Sequence, residues 1–148
     1  MPSAAAIVCV TVPGKPATIA WCGDSRAYAL VHGTLQCLTT DHNLRRVFPP
    51  KGNRNLITSY LGAPYTDEDR MAAVNHPAFE SVTLDVKGCR LLLASDGAYE
   101  PLEDSRRNLA DHLVGAPAQA ARNFVESAVG LAGEKPDNAT VLIVDLRH

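Results

Sequence analysis

Residues 91–97 read Leu-Leu-Leu-Ala-Ser-Asp-Gly, an apolar run that stops abruptly at a carboxylate, Asp96, and a glycine. A run that is apolar at successive positions, rather than at alternate ones, suits a strand covered on both faces. Such a strand must lie inside a layered fold, and it delivers Asp96 to the rim of a sheet. The stretch Asp137-Asn138-Ala139-Thr140-Val141-Leu142-Ile143-Val144 is the mirror arrangement, with its acid where a buried strand begins. Two carboxylates at the ends of neighbouring strands make a candidate site for a hard metal ion, which binds through oxygen. A third acid, Asp24, sits in the turn of Ala20-Trp21-Cys22-Gly23-Asp24-Ser25-Arg26-Ala27-Tyr28, between two strand-like runs. The alternative for each acid is a turn residue bonded to its own backbone.

Strand-like runs occupy residues 4–12, 17–22, 26–31 and 35–39. Turn signals at Pro13-Gly14-Lys15, Gly23-Asp24-Ser25 and His32-Gly33 separate them, and this spacing predicts an antiparallel meander. Residues 41–57 carry Pro49-Pro50 and Lys51-Gly52-Asn53 and predict an exposed loop with one helical turn. A short strand is expected over 56–61, and a loop over the polar stretch 62–77, which holds Pro64 and Pro77. Residues 79–86 alternate as a strand and are expected to turn at Lys87-Gly88 into strand 89–94, completing a hairpin. Helical spacing of Leu109, His112 and Leu113 predicts a helix over 106–114. A second helix, over 118–132, follows Pro117 and puts Ala121, Phe124, Val125, Ala128 and Ala132 on one face. The last strand, 139–146, is expected to insert among earlier ones. Many strands followed by helices and a final strand define an α+β class, with helices packed on one side of sheet.

The length of 148 residues suits one domain, 1–148, with a real core. With 46% hydrophobic and 20% charged residues, the chain is ordinary for a folded soluble protein. The formal net charge of −2 offers no basis for binding nucleic acid or an anionic membrane surface. The longest apolar runs are strand-sized, far short of a membrane span. The N-terminus has no basic segment of the kind that opens a secretory signal. Cysteines 9, 22, 37 and 89 lack metal-ligand spacing, and each lies in or beside an apolar run. They are expected to be buried free thiols in a reducing, cytoplasmic compartment. Trp21, the single tryptophan, is expected in the core.

Taken together, these stretches resemble the metal-dependent serine/threonine phosphatases of type 2C, the PPM family. Residues 20–30 resemble the family's Ala-x-x-Gly-Asp-Ser-Arg-Ala-Tyr hairpin, and Leu38-Thr39-Thr40-Asp41-His42 its Leu-Thr-x-Asp-His. Asn55-Leu56-Ile57-Thr58-Ser59-Tyr60-Leu61-Gly62 resembles the segment usually ending Leu-Thr-Arg-Ala-Leu-Gly. Residues 91–97 match Leu-Leu-Leu-x-Ser-Asp-Gly, and Asp137-Asn138-Ala139-Thr140 matches Asp-Asn-x-Thr. Each motif is weak alone; all five in the family's order make a specific signal. The resemblance implies an antiparallel β-sandwich flanked by helices. It covers only the back portion of the family's domain. The family's N-terminal strands, with an acidic pair, a phosphate-binding arginine and an Asp-Gly-x-Gly-Gly turn, have no counterpart here, nor does its first long helix. The segment between His42 and Asn55 is shorter than the family's flap, and Glu100 stands where the family usually has an aspartate.

By this resemblance, Asp96 and Asp137 correspond to acids that hold one catalytic metal, Mn2+ or Mg2+. Asp24 and Glu100 would complete a second, weaker site with Asp96. The family uses paired metals to activate a water for attack on phosphoserine or phosphothreonine. The alternative for Glu100 is a surface glutamate near a helix start. Arg26 is expected to brace its loop through an ion pair, and Arg45, Arg46 and Arg54 to form a solvated basic loop. His42 is expected to brace its turn, and neither it nor His76 takes the family's general-acid role. No residue of the chain is assigned a catalytic role. With the bridging acid and phosphate clamp missing, the expectation is a phosphatase-like module, a pseudophosphatase, with little or no activity as an isolated chain. The alternative is a phosphatase completed by another chain or an upstream segment. A phosphoprotein or regulatory protein is the expected partner, with self-association through an uncovered sheet edge.

Overall fold

The computed structural model describes residues 3–85 and 88–146. Its chain divides into two compact units, each built from two separate stretches: Met1–Ser25 with Thr39–Asp85, and Arg26–Leu38 with Val86–His148. Each unit contains one antiparallel sheet, so the α+β class holds, with two sheets and few helices.

The first unit is built on strands β1 (Ala6–Val10), β2 (Ala17–Cys22) and β5 (Glu80–Leu84), in the order β1-β2-β5. Along β2 the side chains of Ala17, Ile19 and Trp21 are buried while Thr18 is exposed, the period of two expected of a strand with one covered face. The register pairs Val8 with Ala20 and Val10 with Thr18, so these valines share the face of Thr18 and are exposed. The loop after residue 41 contains one helical turn, α1 (Leu44–Val47), capped by Asn43. Its ends are tied by Leu44 N to Leu56 O at 3.0 Å and by Thr58 N to His42 O at 2.8 Å. Residues 56–61 form only isolated bridges, at Ile57 and Leu61, and not the expected strand. The expected loop 62–77 instead holds helix α2 (Asp67–Val74). Thr66 and Asp69 form a reciprocal capping box at its start, and Asn75 ends it in the left-handed conformation at φ 57°.

The second unit carries β3 (Arg26–Val31), β4 (Thr34–Cys37), β6 (Cys89–Ala94) and β7 (Val141–Leu146), in the order β4-β3-β6-β7. Helix α3 (Asp96–Asp104), a 3-10 turn (Leu109–His112) and helix α4 (Pro117–Leu131) complete it. Pro117 stands at the start of α4, where its missing N–H costs nothing. Ala120, Phe124 and Ala128 form the buried stripe of α4, with Ala121 and Val125 half-buried at its margin. They join Leu92 and Ile143 of the sheet and Ala98, Tyr99 and Leu102 of α3 in one core.

Several expectations are corrected. The first four strands make two hairpins, β1–β2 and β3–β4, in different sheets, and not a continuous meander. The chain changes sheet at Gly23-Asp24-Ser25. Strands β5 and β6 are not a hairpin either, because β5 pairs with β2 and β6 with β3. The expected turn residue Lys87 lies outside the described residues. The helix expected over 106–114 is one 3-10 turn, while α3 forms where no helix was expected. Strand β7 lies at the end of its sheet order rather than among earlier strands. Its apolar residues are covered by α4 on one face, and Leu142 is left exposed. Of the cysteines, which are all free, Cys22 and Cys89 are buried and Cys37 is exposed, against the expectation for all four.

Candidate metal centre

In the second unit the register of β6 against β7 sets Ala94 opposite Val141, so both strands present their acidic flanks at one end of the sheet. Ser95 locks the two segments together. Its N–H donates to Thr140 O at 3.0 Å, its hydroxyl donates to Asn138 O at 3.3 Å, and that hydroxyl accepts from Thr140 N at 3.0 Å. Gly97 allows the approach: a Cβ there would lie 2.6 Å from Asn138 O and 3.2 Å from Asp137 Cβ. Asp96 and Asp137 are thereby held at the same rim, as their positions in the sequence predict. Asp96 opens α3, where the helix dipole favours a negative charge. Its Oδ1 accepts from Gly97 N at 2.8 Å, and Asp137 Oδ1 accepts from Asn138 N at 2.7 Å.

A cleft of about 240 Å³ opens at this rim, and Asp96, Glu100, Asp104, Lys135 and Asp137 are among its lining residues. Glu100 therefore faces the cleft with the predicted pair, from the second turn of α3. Asp104 and Lys135 were missed by sequence reasoning. The signal for Asp104 was the spacing of four through 96, 100 and 104, which stacks three acids on one helix face, but it counts only once a helix is recognised there. The carboxylate oxygens suit a hard divalent cation in kind. They do not converge: among the described residues no three or more His, Cys, Asp or Glu side chains are gathered to hold a metal ion.

Asp24 lies in the first unit and is only 8% exposed. The turn before it is built to close tolerance. Gly23 has φ 101°, and a Cβ on it would sit 2.6 Å from the Cβ of Ala5. His42 clasps this glycine from both sides. Gly23 N donates to His42 Nδ1 at 3.2 Å, and His42 N donates to Gly23 O at 2.9 Å. His42 Nε2 lies 2.7 Å from Glu80 Oε2. Arg46 donates to both oxygens of Glu80, with Nη2 at 3.2 Å from Oε1. The expected solvated loop is thus corrected for Arg46, which is half-buried in an ion pair. Arg45 Nε donates to Gly52 O at 3.3 Å. The His42 ring stacks on that of His76 at 4.5 Å between centroids, and Trp21 is buried beside it, donating from Nε1 to Thr40 O at 3.0 Å. Burial holds the pKa of both histidines below the ordinary imidazole value. In the second unit Arg26 pairs with Glu103 at 3.0 Å and lies over the Tyr99 ring, the bracing role expected of it.

Sheet, helices and acidic rim together define a phosphatase-2C-like fold, and the chain is similar to PPM-type serine/threonine phosphatases. The catalytic domain of the phosphatase PstP, solved in complex with two manganese ions, superposes with a TM-score of 0.72 at 25% identity, over 99% of this chain and 60% of that one. The PPM Ser-Thr phosphatase MsPP from Mycobacterium smegmatis, in complex with cacodylate, gives 0.66 at 28% identity, over 97% and 61%. PppA, a regulatory component of the type VI secretion system in Pseudomonas aeruginosa, shares the fold at 0.70 and 24% identity, over 96% and 57%. This chain therefore spans about three-fifths of the length of these relatives. No family model and no curated protein matches the sequence.

Proposed function

We propose that this chain is a PPM-type phosphatase-like module that holds Mn2+ or Mg2+ weakly at Asp96 and Asp137 and turns over little phosphoprotein by itself. The observation that carries the reading is the pairing of Asp96 with Asp137 at one sheet rim, without a third ligand gathered beside them among the described residues. Two carboxylates supply too few oxygens for an ion that takes about six. Ser95 and Gly97 fix the spacing of the pair, the α3 N-terminus presents its positive dipole end to Asp96, and Glu100 and Asp104 add negative potential that draws a cation into the cleft. A divalent metal held there would supply Lewis-acid stabilisation of a phosphoryl group and an activated water. Asp24 is the candidate ligand of a second site.

The alternative, an active Mn2+- or Mg2+-dependent phosphatase completed by another chain or segment, is favoured by one observation. Strand β1 is the end strand of its sheet and leaves Val8 and Val10 exposed. An open strand edge beside apolar side chains invites a further chain, so a phosphoprotein, a regulatory protein or a second copy are the proposed partners. No helix among the described residues is long and apolar enough to cross a membrane. Four free cysteines support a reducing, cytoplasmic setting.

The test is hydrolysis of a phosphothreonine peptide by the pure chain across a Mn2+ titration, with Asp96→Ala/Asp137→Ala as the control. Little or no turnover is expected. Robust Mn2+-dependent turnover that disappears in the double variant would replace the low-activity reading with the alternative.

A further inference from the structure

The His42–Gly23 clasp carries an inference that needs no metal. Each imidazole has its tautomer set by the backbone. Because Gly23 N–H can only donate, His42 Nδ1 is the unprotonated nitrogen, and its Nε2–H points at the Glu80 carboxylate. Pro77 O can only accept, so His76 carries its proton on Nδ1, 2.7 Å from that oxygen. His76 Nε2 then accepts from the Thr58 hydroxyl at 2.7 Å. Both rings are fully enclosed, at 0% and 1% exposure, and they stack at an interplanar angle of 8°.

The two rings differ in what a second proton would cost. A proton arriving at His76 Nε2 needs only a rotation of the Thr58 hydroxyl, which both donates and accepts. A proton arriving at His42 Nδ1 would face the Gly23 N–H, donor against donor, and the clasp would have to part. The charged and titratable groups around His42 are Glu80 from β5, Arg46 from α1 and His76. Those around His76 add Arg70 from α2. Glu80 favours a cationic His42, but Arg46 already occupies both its oxygens, and Arg46 and His76 oppose the new charge. On the side where a Cβ would stand, Ala5 lies against Gly23.

We propose that His42 is a proton-operated latch on the turn at Gly23: neutral, it clasps Gly23 from both sides, and protonated at Nδ1 it releases the Gly23 N–H. The latch acts on the residue next to Asp24, offered above as a second-site ligand, and its functional meaning rests on that reading. The geometry of the latch does not. Both imidazoles titrating below their usual value is in keeping with it.

The experiment uses the full chain in metal-free buffer, so that its failure is separate from failure of the metal site. Imidazole 15N shifts should show His42 protonated on Nε2 alone at pH 7. Amide exchange at Gly23, taken relative to the unstructured rate at each pH, should lose protection by about tenfold per pH unit below about 6.5, one proton being taken up on opening. Leu92 in the other unit serves as the reference amide and should hold its protection. In His42→Asn the Oδ1 can still accept from Gly23 but does not titrate, and the dependence should weaken by about one proton. In His42→Gln the donor to Glu80 is kept and the acceptor for Gly23 is lost, so Gly23 protection should be low at both pH 7 and pH 5. The wild-type measurements stand even if a variant fails to fold. Equal Gly23 protection at pH 5 and pH 7, a proton on His42 Nδ1 at pH 7, or an undiminished pH dependence in His42→Asn would each overturn the proposal.

Discussion

At the scale of single residues the candidate site depends on a glycine that permits close approach. Gly97 lets the start of α3 rest on Asn138, and the Cβ of an alanine would meet that carbonyl at 2.6 Å. Backbone on both sides leaves little room to yield, so Gly97→Ala should destabilise the fold by about 1–3 kcal/mol, as overpacking does. It should also weaken Mn2+ binding by separating Asp96 from Asp137, which chemical denaturation and a Mn2+ titration of the variant would read. The buried histidines make stability fall in mild acid. Their folded pKa values lie below the unfolded value of about 6.5, so the unfolded chain binds more protons in that range. Stability is complete above about pH 6.5 and is lost as pH drops through the lowered folded values. Glu80, held below the ordinary carboxylate range by Arg46 and His42, adds a loss below about pH 4.5. The thermal midpoint should therefore decline steadily from pH 7 to pH 4, as followed by circular dichroism. The placement of Asp96 and Asp137 at one sheet rim was legible in the sequence, because each acid adjoins an apolar strand run, and both also bond to the next backbone N–H as turn acids do. His42 was legible only as a bracing residue. Its partners lie tens of positions away, His76 in a polar stretch without a periodic pattern and Glu80 at the start of a strand whose pairing the sequence does not show.

At the scale of elements, recognition followed amphipathicity. Helix α4 was readable because Pro117 starts it and its apolar face recurs with helical period; the structure turns that face slightly toward Ala120. Phe124 sits at its centre with 0% exposure, and Phe124→Ala should cost about 3–5 kcal/mol, measurable by urea denaturation. Helix α3 escaped notice because Gly97 and Pro101 both argue against helix. The core burial of Ala98, Tyr99 and Leu102 outweighs those propensities, a gain visible only after folding. Helix α2 buries no residue, so it has no apolar stripe to read, and its signal is the capping box of Thr66 and Asp69. Thr66→Ala should destabilise by about 1 kcal/mol and fray α2 first, seen as faster amide exchange over 67–71.

At the scale of the whole molecule, a ligand that binds the folded chain stabilises it by mass action. At a Mn2+ concentration tenfold above its Kd the gain is about 1.4 kcal/mol. Mn2+ should therefore raise the thermal midpoint of the wild type and leave Asp96→Ala/Asp137→Ala unmoved; an equal rise in both would place the ion elsewhere. The sequence alone determined the α+β class, the strands other than the one expected over 56–61, the likeness to PPM-type phosphatases and the acids at the sheet rim. Those features are local, since a strand's apolar run and the acid beside it are contiguous in the chain. Which strand pairs with which was decided only by tertiary structure. The turn at Gly23-Asp24-Ser25 reads like a hairpin turn, yet it carries the chain from one sheet to the other, because β2 pairs with β1 and β5 while β3 pairs with β4 and β6. Tertiary structure likewise created α3, and with it the acidic face of Asp96, Glu100 and Asp104. It also gathered His76, Glu80 and Arg46 around His42, the residue that clasps Gly23. Pairing and burial draw their free energy from residues distant in sequence, and no local pattern encodes that partner.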